Sequence, residues 1–248
     1  MPRPYDEVCD RLKRQYAEAQ YDPQSGLSKD ELQAELARHR AENPGEPRIM
    51  TRAWLLRLLC TRARIAVDPE DYFVDKIEHH DLAVMLREEW RREADAEEFS
   101  GDPPVIAGAW TGQLDAGHTC PDWEAILHLG LTGLRDRAAP HAGVFYEAVT
   151  MVYDGAIALC RRFSEAMPGS VIASLAERPP QTFHEALQLI YLMHELLEME
   201  NGYCVRSMGR FDRQLNPFYV ADLAAGRLTR KQAKELLKYF WVKCFAKS

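Results

Sequence analysis

A mainly α-helical fold with a few short strands is what this sequence predicts, and three kinds of observation predict it. Helix starts are written in paired capping residues: Ser28 with Glu31, Thr182 with Glu185, and Thr229 with Gln232. In each pair the first side chain can bond the amide three residues on, while the second reaches back to the first residue's amide. Apolar residues recur at helical spacing, most plainly Ala233, Leu236, Leu237, Phe240, Trp241 and Cys244, which make a wide stripe on one helix face. Proline and glycine clusters such as Asn43-Pro-Gly-Glu-Pro47 punctuate the segments between.

The elements follow in order. Residues 5 to 20 read as a short amphipathic helix. Ser28 opens a second helix, with Leu27 and Leu32 able to staple across its start, and the Asn43–Pro47 cluster ends it. Ile49 to Arg62 is a third, with Ala53, Leu56, Leu59 and Cys60 on one side. Ile65 to Pro69 and Tyr72 to Val74 read as a strand or an extended corner, leading into a charged helix over 81–97. Ser100-Gly-Asp-Pro-Pro104 is a linker candidate, and Gly108 to His118 is a turn-rich loop. Thr119, Pro121 and Asp122 mark the start of a helix to Arg137, with kinks expected at Gly130 and Gly133. Val144 to Ala166 is a long helix, Thr182 opens another to Met199, Cys204 to Met208 reads as a strand, and Thr229 caps the last helix.

Composition narrows the function classes. Of 248 residues, 46% are hydrophobic, enough for a real core, and the net charge of −7 offers no basic face for nucleic acid. No apolar run follows the charged opening Met1-Pro-Arg-Pro-Tyr-Asp, so no signal peptide is expected, nor any membrane span. The six cysteines are scattered without a CxxC, which favours free thiols in a reducing cytoplasm over a disulfide framework. The apolar stripe from Ala233 to Cys244 is worth several kcal/mol at ~25 cal/mol per Å² only if something covers it. Either earlier helices do so or a further segment does.

Several residues could carry chemistry. His118 sits at a loop-to-helix junction, where an imidazole can reach a cavity and exchange protons near neutrality; a surface or capping role is the plainer alternative. In Ser207-Met-Gly-Arg-Phe-Asp212, Gly209 permits a tight backbone path, Arg210 and Asp212 could form a fixed structural ion pair, and the Ser207 hydroxyl could bond a substrate oxygen. His184, Glu185, His194, Glu195 and Glu198 invite a metal reading, but His194-Glu-Leu-Leu-Glu198 is not HExxH and His184 and His194 are too far apart along a helix for a zinc site. Cys120 reads as a small buried apolar residue rather than a nucleophile.

Pro179-Pro180-Gln-Thr-Phe-His-Glu-Ala-Leu-Gln188, then Ser207-Met-Gly-Arg-Phe-Asp212, then Pro217-Phe-Tyr-Val-Ala-Asp-Leu-Ala-Ala-Gly226 together resemble the amino-terminal half of the glycyl radical enzymes, the pyruvate formate-lyase-like family. The resemblance runs from about Pro47 onward and is strongest from Pro179 to Lys243. It implies a partial α/β half-barrel, with 1–248 a truncated domain: a helical part over about 1–100 and a half-barrel part over about 104–248. Gly117-His118-Thr-Cys-Pro-Asp122 is similar to the family's Gly-His-x-x-Pro-Asp stretch, so the resemblance makes His118 a substrate-binding residue, with Trp110 an aromatic wall and Ser207 a hydroxyl directed into the barrel. Cys204 is a weaker candidate on the same strand, and Arg206 the one arginine placed to meet a carboxylate.

The resemblance also has departures. The segment from Met167 to Arg178 is shorter than in the family. The cysteine on its finger loop and the carboxy-terminal Arg-Val-x-Gly-Tyr loop are absent, so no residue of this chain is expected to be catalytic. The implied function is the amino-terminal portion of a dehydratase or C–C/C–N lyase acting on a small hydroxylated or aminated molecule. It is inactive without a downstream half polypeptide and an activating enzyme. The family's cofactor is a protein glycyl radical, installed by an iron–sulfur activase that uses S-adenosylmethionine. A non-catalytic helical interaction module derived from that family is the alternative; a zinc hydrolase lacks the ligand spacing.

Overall fold

The computed structural model describes residues 3–17, 26–74, 76–77, 120–201 and 207–245. The expected helix at 81–97, the linker at 100–104 and the loop at 108–118 lie outside them. Helices α1 (Tyr5–Ala17), α2 (Lys29–Glu42) and α3 (Arg48–Arg62) come first. Strands β1 (Ile65–Ala66) and β2 (Lys76–Ile77) follow, then α4 (Trp123–Ala138), α5 (Val144–Ala166), α6 (Ile172–Leu175), α7 (Phe183–Asn201), α8 (Phe211–Ala224) and α9 (Arg230–Phe245). None of the described helices is long and apolar enough to cross a membrane.

All three predicted capping pairs form. The Ser28 amide donates to Glu31 Oε2 at 2.8 Å, and Ser28 Oγ accepts from the Glu31 amide at 3.4 Å. The Thr182 hydroxyl accepts from the Glu185 amide at 3.2 Å, and the Gln232 amide oxygen accepts from the Thr229 amide at 2.8 Å. These caps satisfy amides that have no partner inside their helix.

The centre of the molecule is α3 packed along α5, with α4 against α5 and α7 against α4. Gly155 allows the closest approach: a Cβ there would sit 2.9 Å from the Arg57 Cα. From the same helix Arg162 donates to the Cys60 carbonyl at 2.8 Å and the Ala63 carbonyl at 2.6 Å, closing the carboxy-terminal end of α3. The Cys60 thiol, fully enclosed, is pushed up by burial to about 12. Gly130 kinks α4 as expected, at φ +64°, because a Cβ would meet the Pro179 Cα at 2.7 Å. Gly130 is the residue of α4 with non-helical dihedral angles; Gly133 keeps the helical path.

Ile65 and Ala66 pair antiparallel with Ile77 and Lys76. Between them, Tyr72 to Val74 forms the extended corner rather than a strand. Side chains, not a sheet partner, satisfy its backbone. Gln188 of α7 bonds the Val74 amide (3.0 Å) and carbonyl (2.8 Å), and His184 bonds the Tyr72 carbonyl at 2.9 Å. Lys243 of α9 donates to the Phe73 carbonyl at 2.7 Å and to Asp71 Oδ2 at 2.8 Å. Lys243 and Asp71 are only 1% and 2% exposed.

This pair corrects the apolar stripe read for the last helix. Ala233, Leu236 and Phe240 are buried, but so are Tyr239, Val242 and the charged Lys243, while Trp241 is 49% exposed. Earlier elements cover most of α9. Helix α1 packs on it, the Tyr239 hydroxyl donates to the Arg3 carbonyl, and the Tyr5 amide donates to Glu235. Helix α8 was not foreseen, because Pro217 lies inside it and proline ordinarily interrupts a helix. The short α6 was not foreseen either.

Candidate functional site

The strongest polar constellation lies at the start of α7. Glu185, the second member of the Thr182 capping pair, accepts from the Ser174 hydroxyl at 2.8 Å, the Gln181 amide at 2.6 Å and Arg178 at 2.8 and 3.0 Å. Burial pushes its carboxyl up, but Arg178, the Gln181 amide and Ser174 outweigh that and hold it below the ordinary value. Asp222 of α8 approaches the same helix end. Its Oδ2 accepts from the Phe183 amide at 2.8 Å, and its Oδ1 from Arg227 Nε at 2.8 Å. Both carboxylates are fully engaged with protein donors, so they hold the fold and are not poised for chemistry. His184, which burial keeps below its ordinary pKa, belongs to the 72–74 corner. Its pairing with the Tyr72 carbonyl gives it a structural part.

The described residues of the predicted substrate-facing segments lie elsewhere, where the chain near Cys120 meets the chain near Ser207. Asp122 caps α4, its Oδ1 accepting from the Ala125 amide at 3.0 Å. The buried indole of Trp123 then donates to the Ser207 carbonyl at 2.9 Å. Gly209 turns back at φ +60°, and a Cβ there would lie 3.0 Å from Gln214 Nε2 and 3.3 Å from both Cys120 Sγ and Trp123 Cδ1. Only glycine suits that combination of dihedral and space. The turn also orients Ser207, whose Oγ accepts from the Gly209 amide at 3.1 Å. Ser207 is exposed. With one lone pair engaged, its hydroxyl proton is left to donate to an oxygen on a ligand.

Of the predicted site residues, Ser207 stands at this junction, while His118 and Trp110 lie outside the described residues, as do Cys204 and Arg206. Met208 and Ser207 are neither helix nor strand. The strand expected over 204–208 is not formed at its described residues, 207 and 208, and two further expectations are corrected. Cys120 is exposed rather than buried, its thiol facing the Pro121 carbonyl at 3.5 Å. Arg210 and Asp212 form no ion pair; both are exposed, at the cap and first turn of α8. Sequence reasoning did not find Trp123, because its role is to bind a backbone carbonyl 84 residues away.

Residues 169–247 match the family model described as pyruvate formate lyase-like. An isethionate sulfite-lyase of Oleidesulfovibrio alaskensis is 27% identical over 73% of this chain and 26% of its own length. The 4-hydroxyphenylacetate decarboxylase glycyl radical subunit of Clostridioides difficile is 36% identical over 31% of this chain and 9% of its own. Among solved structures, hydroxyproline dehydratase from Clostridioides difficile with trans-4-hydroxy-L-proline bound aligns with a TM-score of 0.69 at 19% identity, covering 100% of this chain and 41% of that one. The matches therefore span less than half the length of each of these relatives. The fold is similar along the chain to that of this solved structure, and the match to the pyruvate formate lyase-like family model lies in its last third.

Proposed function

We propose that this chain is the amino-terminal portion of a glycyl radical dehydratase or lyase and contributes part of its small-molecule pocket. The observation that carries the reading is the contact between Cys120–Trp123 and Ser207–Gly209. These are the described ends of the two segments that resemble the family's substrate-facing motifs, and they meet through the Trp123–Ser207 bond. On this reading 1–248 is a single incomplete unit, a helical part over about 1–100 carrying a half-barrel over about 104–248. Ser207 donates to a substrate oxygen, His118 bonds the same small molecule, and Trp110 forms an apolar wall.

No residue of this chain is assigned the hydrogen abstraction. In the family that step draws on a glycyl radical, installed by an iron–sulfur activase using S-adenosylmethionine, and on a cysteine loop, both supplied by the downstream half. The names of the relatives point to isethionate, 4-hydroxyphenylacetate and trans-4-hydroxy-L-proline as their substrates. A small hydroxylated molecule is accordingly the substrate class assigned here.

The coding DNA after codon 248 is the first test: it should encode the glycine and cysteine loops, in frame or in an adjacent frame. Anaerobic co-expression of both parts with the activase should then give a glycyl radical signal by electron paramagnetic resonance and turnover that Ser207→Ala reduces. If no such sequence follows, the split-enzyme reading fails. The exposure of Trp241 favours the second reading, a non-catalytic interaction module. That reading gains if purified 1–248 is a monodisperse monomer with a cooperative melt.

A further inference from the structure

Between the start of α4 and the start of α8 lies a cavity of about 630 Å³, within the range of small-molecule sites. Leu127, Pro180 and Phe218 give it apolar walls, and Ser207 does not line it. Its polar wall is His128 from α4 with Arg210, Arg213 and Gln214 from α8. Among the described residues, Arg210 and Arg213 have no carboxylate or carbonyl partner, and His128 has no hydrogen bond. Other arginines of the chain do: Arg178 binds Glu185, Arg227 binds Asp222 and Arg135 binds Asp136. The Gln214 side-chain oxygen is buried and accepts no hydrogen bond. Glu124 lines the same cavity and makes no ion pair with either arginine.

We propose that this cavity binds a small molecule bearing one oxyanion and one hydroxyl or amine. Two planar guanidinium forks on one wall match a carboxylate or phosphate, which they can bond in bidentate fashion. The Gln214 oxygen lacks a donor, and a ligand hydroxyl or amine supplies it. Glu124 opposes a second negative group, which limits the ligand to one oxyanion. This inference goes beyond the proposed function, since binding here requires neither a radical nor a second polypeptide, and it can fail or stand without touching that reading.

Isothermal titration of the 248-residue chain tests it, with inorganic phosphate, 3-hydroxybutyrate and butyrate as probes at matched ionic strength. We expect saturable binding of at least one oxyanion, weakened on the order of 10-fold or more in Arg210→Ala/Arg213→Ala, since charged hydrogen bonds of this kind are lost. Both arginines are exposed, so the variant should keep its circular dichroism spectrum. Binding of phosphate alone supports a phosphate ligand, and binding of 3-hydroxybutyrate more tightly than butyrate supports a hydroxy acid. Gln214→Leu should erase that preference while retaining oxyanion binding. Absence of saturable binding for all three probes, or equal binding by the double variant, overturns the proposal.

Discussion

Two neighbouring regions treat their charges in opposite ways. At the start of α7, Glu185 and Asp222 are buried and saturated with donors from Ser174, Arg178, the Gln181 and Phe183 amides and Arg227. At the junction of α4 with α8, Arg210 and Arg213 line a cavity and have no carboxylate or carbonyl partner among the described residues, and Ser207 Oγ accepts only from the Gly209 amide there. Buried polar groups persist when fully partnered. Polar groups left open at a concave surface are the ones available to a ligand. The difference separates residues that keep the fold from residues that can act, although both sets lie in or beside segments of family-like sequence.

Substitutions should reproduce that division, and the largest effect belongs to the buried ion pair. Lys243→Met takes the ammonium away from the buried Asp71 carboxylate, and should destabilise by about 3–5 kcal/mol in urea denaturation. The double change Lys243→Met/Asp71→Leu should recover much of the loss, because the pair's own net contribution is small once its desolvation is counted. An unchanged midpoint in the single variant would remove the pair from the list of fold-keeping contacts.

Glu185→Gln should cost about 2 kcal/mol at neutral pH, since it weakens several charge-assisted bonds at once. Its pH dependence supplies a second check. The folded carboxyl sits below its ordinary value of 4.5, so its stabilising contribution is complete above pH 4.5 and is lost as pH falls through the lower folded value. The gap between wild type and Glu185→Gln, measured by urea titration, should close in that acidic window. A gap that stays constant would mean that the carboxylate form is not what Arg178 and the amides recognise.

Asp222→Ala should cost about 1–2 kcal/mol, the usual effect of losing a helix cap, and thermal melts would register it. Ser207→Ala completes the series at the other extreme. Its side chain is exposed and, among the described residues, bonds only its own turn, so the variant's stability should stay within about 0.5 kcal/mol of wild type. A large destabilisation would place Ser207 with the fold-keeping residues and weaken its assignment to the pocket.

What the sequence revealed follows the same line between local and distant causes. The caps at Ser28, Thr182 and Thr229 were legible because donor and acceptor lie three residues apart. The kink at Gly130 was legible because glycine is the residue that tolerates it, although its physical reason, the Pro179 backbone, was not. The burial of Lys243 was not legible: periodicity sees a cation and expects water, while the compensating Asp71 lies 172 residues earlier. Helix α8 was missed because Pro217 argues against it. The resemblance named Ser207, but the bond that fixes its backbone comes from Trp123, which no spacing rule connects to it. His118 and Trp110 remain assignments of the resemblance.

Helix α9 is sewn to α1 and to the 71–74 corner through Tyr239, Glu235 and Lys243. Those early elements therefore gain these partners only once the last helix has been made. Until α9 appears, Asp71 and the Phe73 carbonyl lack the Lys243 ammonium, and α1 lacks the helix it packs on. Truncations that trim the far end should thus be felt first at the beginning.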